Sequence, residues 1–181
     1  MMKRPIVVVA SLLFGGSVHS AVALDLCVPV QGKITNNFIA AGNTLGVVAM
    51  EYGAKNSAAK FKCALVGVPQ PATPPAVHFI HSISCDDVIS IPAGDGSGDV
   101  PVHSSIVMET NGTMLPPQTP LELFRFQERS VPIVGSGARG RFHGVIGGQL
   151  LVEGIVYKSP VDGVPGSIDM KFTGEACYPD E

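Results

Sequence analysis

Apolar and polar positions alternate along much of the chain. Val28, Val30, Gly32 and Ile34 stand at every second position, as do Phe61, Cys63, Leu65 and Gly67. The pattern recurs at Val77, Phe79, His81 and Ile83, and at Ile168, Met170, Phe172 and Gly174. A period of two sends one set of side chains to a buried face and the other outward, as in a half-buried strand. Residues 45–52, 104–110, 121–127 and 148–157 are further strand candidates, bringing the total to about eight. Only 43–60 has a helical alternative, capped by Asn43 or Thr44, and Gly46 and Gly53 weigh against it. Asn111-Gly112 reads as a two-residue hairpin turn, because both central positions of that turn need positive φ. Asn111-Gly-Thr113 also spells a glycosylation acceptor, but the turn chemistry already accounts for these residues.

Glycine and proline, 21 and 15 of 181 residues, punctuate these segments at short intervals and leave little room for long helices. Residues 69–75 form a stiff proline-rich loop, and 92–101 an acidic, glycine-rich one. The pattern predicts an all-β domain, an antiparallel β-barrel of about eight strands, with a β-sandwich as the alternative. Glycines inside the later strands favour the barrel, since they mark bends and close backbone approach.

The N-terminus is organised differently. Lys3 and Arg4 precede an uncharged apolar run at 6–14, and Ala21-Val22-Ala23 comes after it. These are the three parts of a cleavable signal peptide, expected at 1–23, leaving one disulfide-bonded β domain at 24–181 that is secreted or periplasmic. The run is shorter than the about 20 residues of a membrane span, and no later segment reaches that length, so no integral membrane segment is expected after cleavage. Loss of Lys3 and Arg4 takes the net charge from −3 to −5. An acidic chain without a Lys/Arg run is not expected to bind nucleic acid.

Cys27, Cys63, Cys85 and Cys177 are an even set in an exported chain, which reads as two disulfides. Zinc would want C-x-x-C pairs or an ordered Cys/His spacing, and neither is present. Cys63 and Cys85 flank the proline-rich loop, where a hairpin return would bring them together. Cys27 and Cys177 lie where the first and last strands meet in an even-stranded antiparallel barrel. The expected pairing is therefore Cys63–Cys85 with Cys27–Cys177, against the alternative Cys27–Cys63 with Cys85–Cys177.

Motifs with a chemical meaning are sparse. Gly135-Ser-Gly137-Ala-Arg-Gly140 matches G-x-G-x-x-G, but the residues after Gly140 are too glycine-rich to supply the helix N-terminus that a phosphate loop needs. Ser136 lacks the nucleophile elbow, since Val134 stands in place of its first glycine. Asp95, Ser97 and Asp99 have a partial calcium-ligand spacing, without the glycine and glutamate of an EF-hand, and a solvated loop accounts for them. His78 and His81 are three apart, which on a strand means opposite faces, so no metal site is expected of them. His81 shares the inward alternation of Phe79 and Ile83. With Glu51 it is a candidate polar group of the lumen. No motif calls for a cofactor.

From Gly135 to Tyr157, a G-S-G turn, Phe142, and glycines two and five residues later at Gly144 and Gly147 lead into a strand. This segment resembles the dirigent and allene oxide cyclase-like barrels. The resemblance implies an eight-stranded antiparallel barrel and carries over no catalytic residue. Three functional readings are open to such a chain. The first is a noncatalytic exported barrel that binds a small apolar ligand or a protein partner. The second is an isomerase- or cyclase-like enzyme acting in the lumen, and the third a structural or interaction protein of the cell envelope.

Overall fold

The computed structural model describes residues 26–39, 42–54, 56–90, 98–161 and 165–180. The signal-peptide segment, 1–23, lies outside them. Eight strands follow in chain order: β1 (Leu26–Phe38), β2 (Thr44–Tyr52), β3 (Ala59–Pro69), β4 (Ala76–Ser90), β5 (Asp99–Leu115), β6 (Glu122–Pro132), β7 (Gly147–Lys158) and β8 (Pro165–Tyr178). Each pairs antiparallel with the next, and β8 returns to β1, so the sheet closes into a barrel rather than a sandwich. The stretch with a helical alternative, 43–60, contains β2 and the start of β3.

Alternation decides what fills the lumen. Val48, Leu65 and Val156 are almost wholly buried, with Ile83, Ile106, Val152 and Phe172 close behind. Each such side chain contributes about 1.5–3 kcal/mol by leaving water. The outer wall carries Lys33, Lys62 and Lys171 with Glu51 and Glu153, along with exposed Leu45, Val47, Val66 and Val68 on β2 and β3. A charged wall around an apolar lumen is the reverse of a membrane-spanning barrel's polarity. Among the described residues, no helix is long and apolar enough to cross a membrane.

Five of the largest inward side chains stand directly opposite a glycine on the neighbouring strand. The pairs are Asn36 with Gly46, His81 with Gly67, Glu128 with Gly112, Phe126 with Gly154 and Phe172 with Gly32. The fit is close: a β-carbon at Gly154 would fall 2.1 Å from Phe126 Cζ. Gly112 corrects the expected turn at Asn111-Gly112. β5 runs straight through both residues, and Asn111 pairs with His78 on one side and Arg129 on the other. The glycine answers packing rather than a turn, since a β-carbon there would meet Glu128 Cγ at 2.5 Å.

The connections differ at the two ends of the barrel. Residues 133–146, between β6 and β7, fold across the end where β1 begins, and a single 3-10 turn, Gly140–Phe142, plugs it. Phe142 meets Tyr52 edge-on at 5.7 Å and Phe61 at 6.4 Å between ring centroids. Gly135 and Gly137 take φ of 81° and 79° in the turn that starts this segment, and only the three-residue 3-10 turn comes after them. At the opposite end, where β1 finishes and β2 starts, the described residues leave a pocket.

Cys27 lies opposite Cys177 across the β1–β8 seam, and Cys63 opposite Cys85 across the β3–β4 hairpin, each pair bonded as a disulfide. Two disulfides are compatible with an oxidising, extracytoplasmic location.

Candidate functional site

At the closed end the inward polar groups are paired. Asp87, on β4, has a side chain only 4% exposed and receives Arg141 Nε at 2.7 Å and a second guanidinium nitrogen at 2.8 Å. Ser104, on β5, donates to the same carboxylate at 3.1 Å and accepts the Arg141 backbone N–H at 2.9 Å. Gly140 is required beside it: its φ is +60°, and a β-carbon would lie 2.3 Å from Ser104 Oγ. Burial alone would raise the Asp87 carboxyl, but Arg141, the Val88 amide and Ser104 bring it below the usual carboxylate range. The Tyr178 hydroxyl donates to the Arg141 carbonyl at 2.7 Å and takes the Tyr52 hydroxyl as its own donor. The ion pair is bidentate and shielded, and it latches the plug to the wall.

The mouth is arranged the other way. A pocket of about 110 Å³ opens there, walled by Phe38, Phe79, Phe124, Phe126, Val156 and Ile168. Asn36, Thr44, His81 and Glu128 supply its polar groups. The Asn36 Oδ1 and Thr44 Oγ1 atoms are buried without a hydrogen-bond partner among the described residues. Such an atom costs about 1–3 kcal/mol in a folded protein, so it stands out as a group awaiting a partner.

Glu128 is 9% exposed and makes no hydrogen bond or ion pair with the described residues. Desolvation pushes its carboxyl up to about 7. His81 Nδ1 lies 2.9 Å from Thr110 Oγ1, which in turn lies 2.5 Å from Ser130 Oγ. The imidazole stacks on Phe79 at 5.5 Å, and burial lowers its titration to about 4, so it is neutral near pH 7. Thr44 Oγ1 and His81 Nε2 lie 2.4 Å and 2.8 Å from the point a Gly67 β-carbon would occupy, so they flank this glycine together. A larger side chain there would fill the site.

Of the two lumen candidates, His81 is in the pocket and Glu51 is not. Glu51 follows the outward phase of β2, because Met50 and Tyr52 take the inward one. It accepts from Gln31 at 2.7 Å and pairs with Lys60 at 2.9 Å, partners that hold its carboxyl below the ordinary value. It lines a groove of about 560 Å³ on the outer wall over Gly32. His78 faces outward to Glu109 at 3.0 Å, away from His81. Asp95 and Ser97 lie outside the described residues, and Asp99 is the first residue of β5.

Sequence reasoning passed over Glu128, Asn36 and Thr44. Glu128 does carry a signal, because it shares a phase with Phe124 and Phe126 on β6 and so places a carboxylate on an inward face. Compared with family models, with curated proteins and with solved structures, the chain has no significant match in any of the three.

Proposed function

We propose that this protein is an exported, noncatalytic binding barrel that receives the head of a small, largely apolar ligand through its open mouth. The observation that carries this reading is the pair of buried, unpartnered oxygens of Asn36 and Thr44 in a phenylalanine-lined pocket. They contrast with the fully paired groups at the plugged end. Apolar walls with a few convergent polar groups are the usual build of a small-molecule site. The volume bounds the ligand. At about 110 Å³, against roughly 150 Å³ for an apolar cavity that takes benzene, the pocket has room for at most one ring-sized head, and the rest of the molecule projects outward.

The test is titration of ring-sized uncharged probes, toluene first, followed by NMR. Shift changes are expected at Phe79, Phe124 and Phe126, and they should vanish in Val77→Phe, which plugs the mouth opposite Gly112. Absence of binding, or binding indifferent to the plug, would count against the reading.

Glu128 favours the second reading, an isomerase- or cyclase-like enzyme in the lumen, because a carboxyl titrating near neutrality suits acid–base work. On that reading a bound ligand would be recovered altered rather than intact.

A further inference from the structure

The walls of the mouth pocket differ in what they offer a charged ligand. Resting on the reading of the mouth as a binding site, we propose that its ligand carries a protonated amine, held between the Phe124 and Phe126 rings and the Glu128 carboxylate. Three observations lead there. First, among the described residues Asn36 Oδ1 and Thr44 Oγ1 have no partner and Glu128 makes no hydrogen bond or ion pair, whereas Thr110 and Ser130 are occupied with each other and with His81. Second, among the described residues no lysine or arginine lines the pocket, so Glu128 is a buried carboxyl with no counter-ion there. An ammonium group would supply the missing charge. Third, four phenylalanines surround the opening, and the faces of aromatic rings attract cations. An anionic head would meet Glu128 with no cation to offset it.

The proposal fixes the sign of a pH effect. In the lumen Glu128 shares its surroundings with Asn36 from β1, Thr44 from β2, Leu65 from β3, His81 from β4, Met108 from β5 and Met170 from β8, and it stands beside Gly112 of β5 and Val152 of β7 in the sheet. His81 is the one titratable group among them, and it stays neutral through the neutral range. Glu128 itself changes charge near pH 7, so an ammonium ligand must bind better as pH rises. A carbonyl ligand accepting from the protonated acid would do the opposite.

The experiment titrates benzylamine and benzyl alcohol into the purified, disulfide-bonded protein at about pH 6 and about pH 8, read by calorimetry. Benzylamine should bind about tenfold or more tightly than the alcohol at the higher pH, and its affinity should rise between the two. Glu128→Gln should abolish that advantage. Equal affinity for the two compounds, or benzylamine binding that weakens as pH rises, would overturn the amine while leaving the binding site standing. If neither compound binds, both readings fall. The pH arm uses unmodified protein, so the outcome does not depend on how the variant folds.

Discussion

The plugged end and the mouth are built from the same eight strands with the same alternation, yet they treat buried polar groups in opposite ways. At the plugged end Asp87, Ser104 and Arg141 satisfy one another. At the mouth, among the described residues, the Asn36 and Thr44 oxygens have no partner and the Glu128 carboxyl forms no ion pair. Pairing of this kind fixes a structure. Its absence in a closed, well-packed barrel marks the place where stability has been given up, which is where a ligand would make up the deficit.

The largest expected effect comes from removing the covalent supports, both of which lie toward the plugged end. Removing the seam disulfide with Cys27→Ser and Cys177→Ser frees a 150-residue separation. By loop entropy it should cost about 4 to 5 kcal/mol in urea unfolding. The Cys63–Cys85 bond, with a separation of 22, should cost only about 3 kcal/mol. Equal losses would mean that the seam has no special standing.

Next in size is a pair of opposed titrations at the mouth. Glu128 titrates near 7 when folded, above its ordinary 4.5, so the folded state holds a proton that the unfolded chain has released. Its contribution to stability therefore falls as pH rises from 4.5 to 7. His81 titrates near 4 when folded, below its ordinary 6.5, so the unfolded chain binds a proton first and stability falls as pH drops from 6.5 to 4. Each effect amounts to roughly 3 kcal/mol at most, and between about pH 4.5 and 6.5 they oppose each other. Glu128→Gln should be more stable than the parent at about pH 8, and that advantage should vanish by about pH 5. A difference between the two proteins that is independent of pH would contradict the buried, unpaired state of Glu128.

The smallest effect gives the cleanest contrast, because one chemical change is made at both ends. Ser104→Ala should destabilise by about 1–3 kcal/mol, since it strands the Arg141 N–H and weakens the hold on Asp87. Thr44→Val removes a hydroxyl that has no partner and should be neutral or mildly stabilising, by about 1 kcal/mol or less. Thermal unfolding of the two variants side by side reads the signs directly. The same sign at both ends would break the comparison.

The barrel was legible because its cues are local: period two, glycine and proline punctuation, and an even set of cysteines. Much of the site was not, because it depends on register. Whether a glycine turns the chain or makes room for a neighbour is decided by the residue opposite, and at Gly112 that residue is Glu128, which no local pattern reveals. Glu51 failed for a related reason, since a short strand read without its phase gives no inward side. His81 was recoverable because three apolar neighbours fixed the phase around it.

Closure of the barrel also bears on how the chain reaches this state. Seven of the eight strand pairings join neighbours in sequence, and only β1 with β8 spans the whole domain. The hairpins can form early and independently. The seam must wait for both ends of the chain to meet, which makes it the slow, entropically costly contact. Cys27 and Cys177 lie on that contact, so their oxidation converts the last encounter into a permanent one. A chain oxidised after closure would reopen and reclose its seam as a short-range event, recovering from thermal or chemical stress much faster than it first folded.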